Sequence, residues 1–203
     1  AIASDEVEIT FDKAVTVASA ENIANYSISG GIGTPLSATR DPNNSAKVTL
    51  TLANPLDVGV FYSLVANNIT DLSGNISGVL TANLIFIEAQ QPDFGDIVIN
   101  EFMPRESPSQ GLPERQFVEL YNRSNKFFHL NGWKLSDRTG TGTIQDAWLY
   151  PDSFLILVPT SGLSDFSGPV INVTNWPSLN NTGDDIELAT DDGFVVDKIS
   201  YTN

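Results

Sequence analysis

An all-β chain built from two sandwich-like bodies is what this sequence of 203 residues predicts, on three observations. Apolar residues recur mostly at period two, the spacing of strands with one buried and one wet face. Turn-forming Asn, Asp, Gly and Pro interrupt that alternation roughly every 8–12 residues, the rhythm of a sandwich or barrel. Near the middle, EAQQPDFGD at 88–96 has no apolar period and holds a proline and a glycine, as a short interdomain linker would.

The first run of strands is EVEITF at 6–11, AKVTLTL at 46–52, VFYSLVA at 60–66 and VLTANLIFI at 79–87. Between them DPNNS at 41–45, NPLDVG at 54–59 and DLSGN at 71–75 supply turns, where Gly and Asn accept positive φ and Pro fixes its own. SAENIAN at 19–25 is the one helix-like piece, with Ser19 as its expected N-cap and room for only a turn or two. After a linker over 89–95 the alternation restarts in DIVINEF, QFVELYN, FFHL, GWKLSD, SFLILV, PVINVT, DIELAT and FVVDKISY. These make a second sandwich over 96–203, with 1–88 as the first.

Composition excludes several chemistries. With no cysteine and a single histidine, the chain can build neither a Cys/His zinc site, nor a thiol nucleophile, nor a disulfide. No apolar run approaches the roughly 20 residues of a membrane helix, so no membrane insertion is expected. Ala1 leads straight into strand-like sequence, which reads as a segment of a longer protein. A net charge of −15 opposes nucleic acid and anionic membranes at long range. Only residues 105–138 are locally basic, with six Lys/Arg against four acids, and any nucleic-acid contact would have to lie there.

Five blocks of the second body, INEF at 99–102, FVELYNRSN at 117–125, LNGWKLSD at 130–137, LNNTGDDIEL at 179–188 and DGFVVDKISY at 192–201, carry a family resemblance. In that order they make residues 96–201 similar to a lamin-tail domain, which is an immunoglobulin-like sandwich. In the first body, ITFDKAV at 9–15, NYSISGG at 25–31, VTLTL at 48–52 and YSLVANNITDLSGN at 62–75 resemble a bacterial Ig-like domain of the surface-layer and adhesion type. The resemblance implies two tandem immunoglobulin-like β-sandwiches forming a non-catalytic module of an exported bacterial multidomain protein, extracellular or at the cell surface. Its implied partners are other domains of the same parent and polysaccharide or protein at the cell surface. The alternative is a targeting domain of a secreted hydrolase that binds polysaccharide or nucleic acid. Neither family brings a catalytic motif.

Candidate site residues follow from side-chain chemistry. In FFHLNGW at 127–133, alternation puts Phe128 and Leu130 on one face and Phe127 and His129 on the other, and Asn131-Gly132 turns the chain into Trp133. No G-x-S-x-G elbow accompanies His129, which reads as scaffold. Glu101 and Glu119 could do glycosidic acid–base work as a carboxylate pair, but each sits mid-strand and reads as structural. Trp148, Tyr150 and Phe127, with Arg123 and Lys126, are the candidate ligand-binding set, because rings stack on sugars or bases and cations meet anionic groups. Calcium is the one cofactor considered, at Asp71, Asn75, Asp184 and Asp185. Neither loop completes an EF-hand; the twelfth position counted from Asp71 is Ala82. GTGTIQ at 140–145 lacks the third glycine and the helix of a dinucleotide site. Glycosylation sequons begin at Asn25, Asn68, Asn122 and Asn172.

Overall fold

A computed structural model describes residues 1–105, 107 and 111–202; the part of the basic segment at 106 and 108–110 lies outside the described residues. The chain divides into two compact units, residues 1–88 and 89–203. It is nearly all β, and its sheets form sandwiches.

In the first unit, β1 (Glu6–Thr10), β3 (Ser37–Arg40) and β4 (Lys47–Thr51) form one antiparallel sheet in the order β1-β4-β3. The second sheet holds β2 (Tyr26–Ile28), β5 (Phe61–Ala66) and β6 (Leu80–Ile85) in the order β2-β5-β6. Val48 and Leu50 of β4, and Tyr62, Leu64 and Ala66 of β5, are buried, while Thr49, Ser63 and Val65 between them are not. Each buried aliphatic side chain is worth about 1.5–3 kcal/mol relative to exposure, so slipping β4 by one residue would trade Leu50 for Thr49 and lose the core. β2 and β3, at three and four residues, are too short for a period-two pattern to register.

The helical piece departs from expectation. An α-turn spans Val17–Ala20 and a separate 3-10 turn spans Ile23–Asn25, and the N-cap position is Thr16 rather than Ser19. Ser19 lies inside the turn, where its Oγ accepts from the Thr70 amide at 2.9 Å. A tertiary partner distant in sequence took the hydroxyl that a local cap would have used.

The second unit holds β7 (Ile97–Met103), β8 (Phe117–Asn122), β9 (Phe128–His129), β10 (Lys134–Ser136), β11 (Thr141–Ile144), β12 (Trp148–Leu149), β13 (Phe154–Pro159), β14 (Val170–Thr174), β15 (Gly183–Ala189) and β16 (Val195–Thr202). Eight of them form one sheet in the order β16-β15-β10-β11-β14-β13-β8-β7, and β9 pairs with β12 as a separate ribbon. The ends of the large sheet curl toward each other. The Ile99 amide on β7 donates to Asp197 Oδ2 on β16 at 2.7 Å, and the Gly95 amide donates to the Val196 carbonyl at 2.7 Å. Inside this wrap Phe128, Leu130, Leu135, Ile144, Leu157 and Ile186 are fully buried. Asn131-Gly132 makes the expected turn, with Gly132 at φ 86°, but it carries the chain from the β9–β12 ribbon into the large sheet rather than closing a β9–β10 hairpin.

Two glycines have steric reasons. Gly142 lies on β11, where a Cβ would collide with Val173 Cγ1 on neighbouring β14, so the GTGT stretch is a close strand contact. Gly95 has φ 82°, and a Cβ there would meet the Arg123 guanidinium at 2.7 Å.

Residues 89–95, expected as linker, bond to the second unit. Gln90 donates its amide to the Phe127 carbonyl at 2.9 Å and accepts from the Phe127 amide through Oε1 at 3.1 Å. Lys126 Nζ reaches Asp93 at 2.6 Å, Asp96 at 2.8 Å and the Gln91 carbonyl at 3.3 Å. A polar, non-periodic stretch need not be loose when backbone and charge pairs hold it.

Candidate functional site

The β9–β12 ribbon sorts its side chains by period two. Phe128 and Leu149, which are register partners, point into the core with 0% and 1% exposure. Their neighbours His129 and Trp148 face outward as partners and stack, ring centroids 4.8 Å apart and planes 14° from parallel. One step along, Phe127 and Tyr150 meet edge to face at 5.8 Å and 84°. Four rings therefore share one face, and Tyr150 is its most open member at 45% exposure. Phe127 is buried, held beneath the Gln90 segment.

Trp148 and Tyr150 thus come together with His129 as a surface, while buried Phe127 contributes only its edge-to-face contact with Tyr150. Arg123 and Lys126 do not join it. Arg123 Nε donates to the Gly95 carbonyl, and Lys126 is paired with Asp93 and Asp96. Sequence reasoning missed Asp146, whose Oδ1 lies 2.5 Å from His129 Nε2. No local period could have found it, since Asp146 lies on a bend before the two-residue strand β12.

Beside His129 lies a cleft of about 250 Å3, lined among others by Gln90, Gln91, Asn131, Thr190 and Asp191. It brings an imidazole and the Thr190 hydroxyl into one cavity, but the two do not bond. Thr190 Oγ1 donates to Asp192 and accepts from the Phe194 amide at 2.9 Å. An imidazole held by an acid, with no hydroxyl on its other nitrogen among the described residues, lacks the geometry of a nucleophilic triad. Glu101 and Glu119 are register partners on β7 and β8, and Glu119 Oε1 accepts from Asn100 Nδ2 at 2.8 Å. They sit on an open strand pair, with Glu101 exposed.

The four residues considered for calcium fall in two places. Asp71 closes an Asx turn in the first unit, its Oδ1 accepting from the Ser73 and Asn75 amides, each at 2.9 Å, and its Oδ2 from Asn75 Nδ2 at 2.8 Å. Asp184 and Asp185 belong to the second unit. Asp184 is fully buried; Oδ1 accepts from the amides of Asp185 at 2.9 Å and Arg138 at 3.3 Å, and Oδ2 from the amide and side chain of Asn180 at 3.1 and 2.7 Å. Asp185 receives the Arg138 guanidinium at 3.0 Å and Ser200 Oγ at 2.6 Å. The oxygens a calcium ion would need already accept from nitrogen and hydroxyl donors. Among the described residues no group of three or more acids or histidines is placed to hold a metal ion. Asn122 and Asn25, two of the sequon residues, are buried; Asn122 Nδ2 donates to the Lys126 and Tyr150 carbonyls at 2.8 and 3.0 Å.

The acid clasp gives the second unit a pH signature. The Arg138 guanidinium and then the Ser200 hydroxyl lower the Asp185 carboxyl from 3.8 to about 2. Burial alone would raise Asp184, but the amides of Asn180, Asp185 and Arg138 together outweigh it and hold this carboxyl below its ordinary value. A lowered folded-state value means that unfolding takes up protons, so stability is complete above the unfolded value and lost as pH falls through the folded one. Denaturation midpoints of the second unit should stay level down to about pH 4 and fall between about pH 4 and 2. Arg138→Met should make that fall shallower. A midpoint that drops with the same slope in the variant would deny Arg138 this role.

No helix of the described chain is long and apolar enough to cross a membrane. Among curated proteins, none matches the sequence. Structurally, the chain is similar to the N-terminal part of the bacterial S-layer protein SbsC, at 14% identity and a TM-score of 0.40 over 98% of this chain and 41% of that one. Domains 1–6 of the surface layer protein SbsC give 13% identity and a TM-score of 0.39, covering 98% and 39%. The chain thus spans about two fifths of the length of these structures. Residues 1–86 match the Bacterial Ig-like domain, in keeping with the two three-stranded sheets found there. With the curled sheet and its ribbon falling within the Lamin Tail Domain match at 90–203, more than half of its length, the chain belongs to the lamin tail domain family.

Proposed function

We propose that this chain is a non-catalytic binding module of a larger exported bacterial protein, and that the outer face of the β9–β12 ribbon is its contact surface for polysaccharide or protein at the cell surface. The observation that carries this is the grouping of Phe127, Tyr150, His129 and Trp148 on one ribbon outside the large sheet, anchored behind by Phe128 and Leu149. Rings fixed on paired strands offer flat apolar area at little entropic cost, which suits the faces of sugar rings and apolar protein patches. Membership in a family of appended modules supports the non-catalytic part.

Phosphate polymers fit poorly. Arg115 pairs with Asp165 at 2.8 Å, Lys126 with Asp93 and Asp96, and Arg138 with Asp185, so three of the six cations of the locally basic segment already have acid partners. Retention on insoluble cell-wall polysaccharide, compared with DNA across salt, tests the proposal. Trp148→Ala and Tyr150→Ala should each weaken retention about tenfold, the loss of one stacking contact. Salt-sensitive DNA binding in preference to glycan, or glycan retention indifferent to both substitutions, would move the site elsewhere.

A further inference from the structure

The cleft beside His129 lies wholly within the second unit and holds side chains that the fold itself does not use. Strand register brings one wall together. Lys134 on β10 pairs with Ala189 on β15, so stepping outward along both strands sets Trp133 beside Thr190 and Gly132 beside Asp191. A Cβ on Gly132 would stand 3.5 Å from Asp191 Cβ, which puts the Asn131-Gly132 turn in contact with the turn after β15. The other wall is the 90–92 segment, tied down by Phe127 and Lys126. Buried Trp133, Thr190 and Pro92 close the cleft inward, while Gln91, Asn131 and Asp191 are exposed around it.

Hydrogen bonding separates these side chains. Thr190 Oγ1 is committed to Asp192 and Phe194, and Gln90 Oε1 to the Phe127 amide. Gln91 takes part only through its backbone carbonyl, and the side chains of Gln91, Asn131 and Asp191 have no partner among the described residues. Two amides and a carboxylate therefore converge on one cavity whose inner wall includes an indole. A concave site with an aromatic wall and a few convergent polar groups is the common form of a small-ligand site.

That set discriminates between ligand chemistries. An amide both donates and accepts, and so does a sugar hydroxyl, whereas a lysine head only donates and a carboxylate or phosphate only accepts. A lysine side chain in the cleft would leave the Gln91 and Asn131 N–H groups unmatched. An anionic group would meet Asp191 and Asp192 with no Lys or Arg in the lining to offset them. Lys126, behind the 90–92 wall, is already paired with Asp93 and Asp96. Drug-sized ligands fill roughly 300–1,000 Å3, so a cleft of about 250 Å3 takes a single ring.

We infer that this cleft is a subsite for one uncharged pyranose unit of a polysaccharide, bonded by Gln91, Asn131 and Asp191 against the Trp133 wall, and that it rejects uronate- and phosphate-bearing units. His129 both lines the cleft and stacks on Trp148, so the neighbouring unit of the same polymer lies over the ribbon rings. This inference rests on the ribbon reading proposed above and narrows its ligand from polysaccharide or protein to a neutral polysaccharide.

Isothermal titration of the whole chain with soluble oligosaccharides of glucose, mannose, galactose and N-acetylglucosamine, and with oligogalacturonate, tests it. At least one neutral series should bind and oligogalacturonate should not. Asn131→Ala should weaken neutral binding about tenfold, the loss of a group that donates and accepts. Asp191→Lys should raise the affinity for oligogalacturonate relative to the neutral oligomer by about tenfold or more. Neutral binding that Trp148→Ala weakens but Asn131→Ala leaves unchanged overturns the cleft and keeps the ribbon. Absence of binding to every sugar overturns both. Oligogalacturonate bound by the unaltered chain as tightly as the neutral oligomers, or an unchanged ratio in Asp191→Lys, overturns the charge selection. Oligo-lysine that binds where no sugar does, and is lost in Asp191→Lys, assigns the cleft to a protein partner and overturns the inference. Should Asn131→Ala fail to fold by circular dichroism, the Asp191→Lys ratio decides.

Discussion

Asp184→Ala is expected to destabilise the second unit by about 3 kcal/mol, because a fully buried carboxylate accepting from Asn180, Asp185 and Arg138 would leave backbone donors without partners. Asparagine at this position should rescue little, since its amide group would turn N–H toward donors that need an acceptor. All three tryptophans, Trp133, Trp148 and Trp176, lie in the second unit, so their fluorescence during urea unfolding reports that unit by itself. The same experiment separates a clasp from a metal site. A chelator should leave the midpoint unchanged, and a midpoint lowered by chelation and restored by calcium would reverse that assignment.

The second large effect sets neighbouring residues against each other. Phe128→Ala should cost about 3–5 kcal/mol, because Phe128 is fully buried and its ring lies 6.1 Å from that of Trp133. His129→Ala should cost less than about 1 kcal/mol, as it removes only a half-exposed hydrogen bond to Asp146 and one stacked face. Equal losses, read from the same fluorescence transition, would mean that His129 belongs to the core. Near equality would also remove the basis for an outward binding face on this ribbon.

That contrast between residues 128 and 129 was legible in the sequence, and so were the longer strands. Alternation in FFHL set Phe128 and Leu130 on the face opposite Phe127 and His129, and the first pair is fully buried, because facing is fixed by the local period of an extended backbone. Shorter pieces were not legible. β2, β3 and β12 hold too few residues to show a period, and β11 begins Thr-Gly-Thr, with no inward side chain until Ile144. Ser19 had the chemistry of a cap, and its bond to Thr70 depended on a chain crossing that no local pattern encodes.

The candidate site divides in the same way. Trp148, Tyr150 and Phe127 were singled out by residue type, and pairing of β9 with β12 is what groups them, with Phe127 buried. Arg123 and Lys126 were chosen for their charge, which the fold turned toward Gly95, Asp93 and Asp96. Asp184 and Asp185 carry the acid density of a calcium loop, while the donors they meet come from Arg138, Asn180 and Ser200.

By itself, the sequence determined the fold class, the family and which side of each long strand is apolar, since these are written in neighbouring residues two apart. Only the tertiary structure decided strand partners, which charges are already satisfied and which polar side chains are left free. Those depend on groups tens of residues away that share space once the sheets close, and a buried polar group takes whichever donor the closed chain brings within reach.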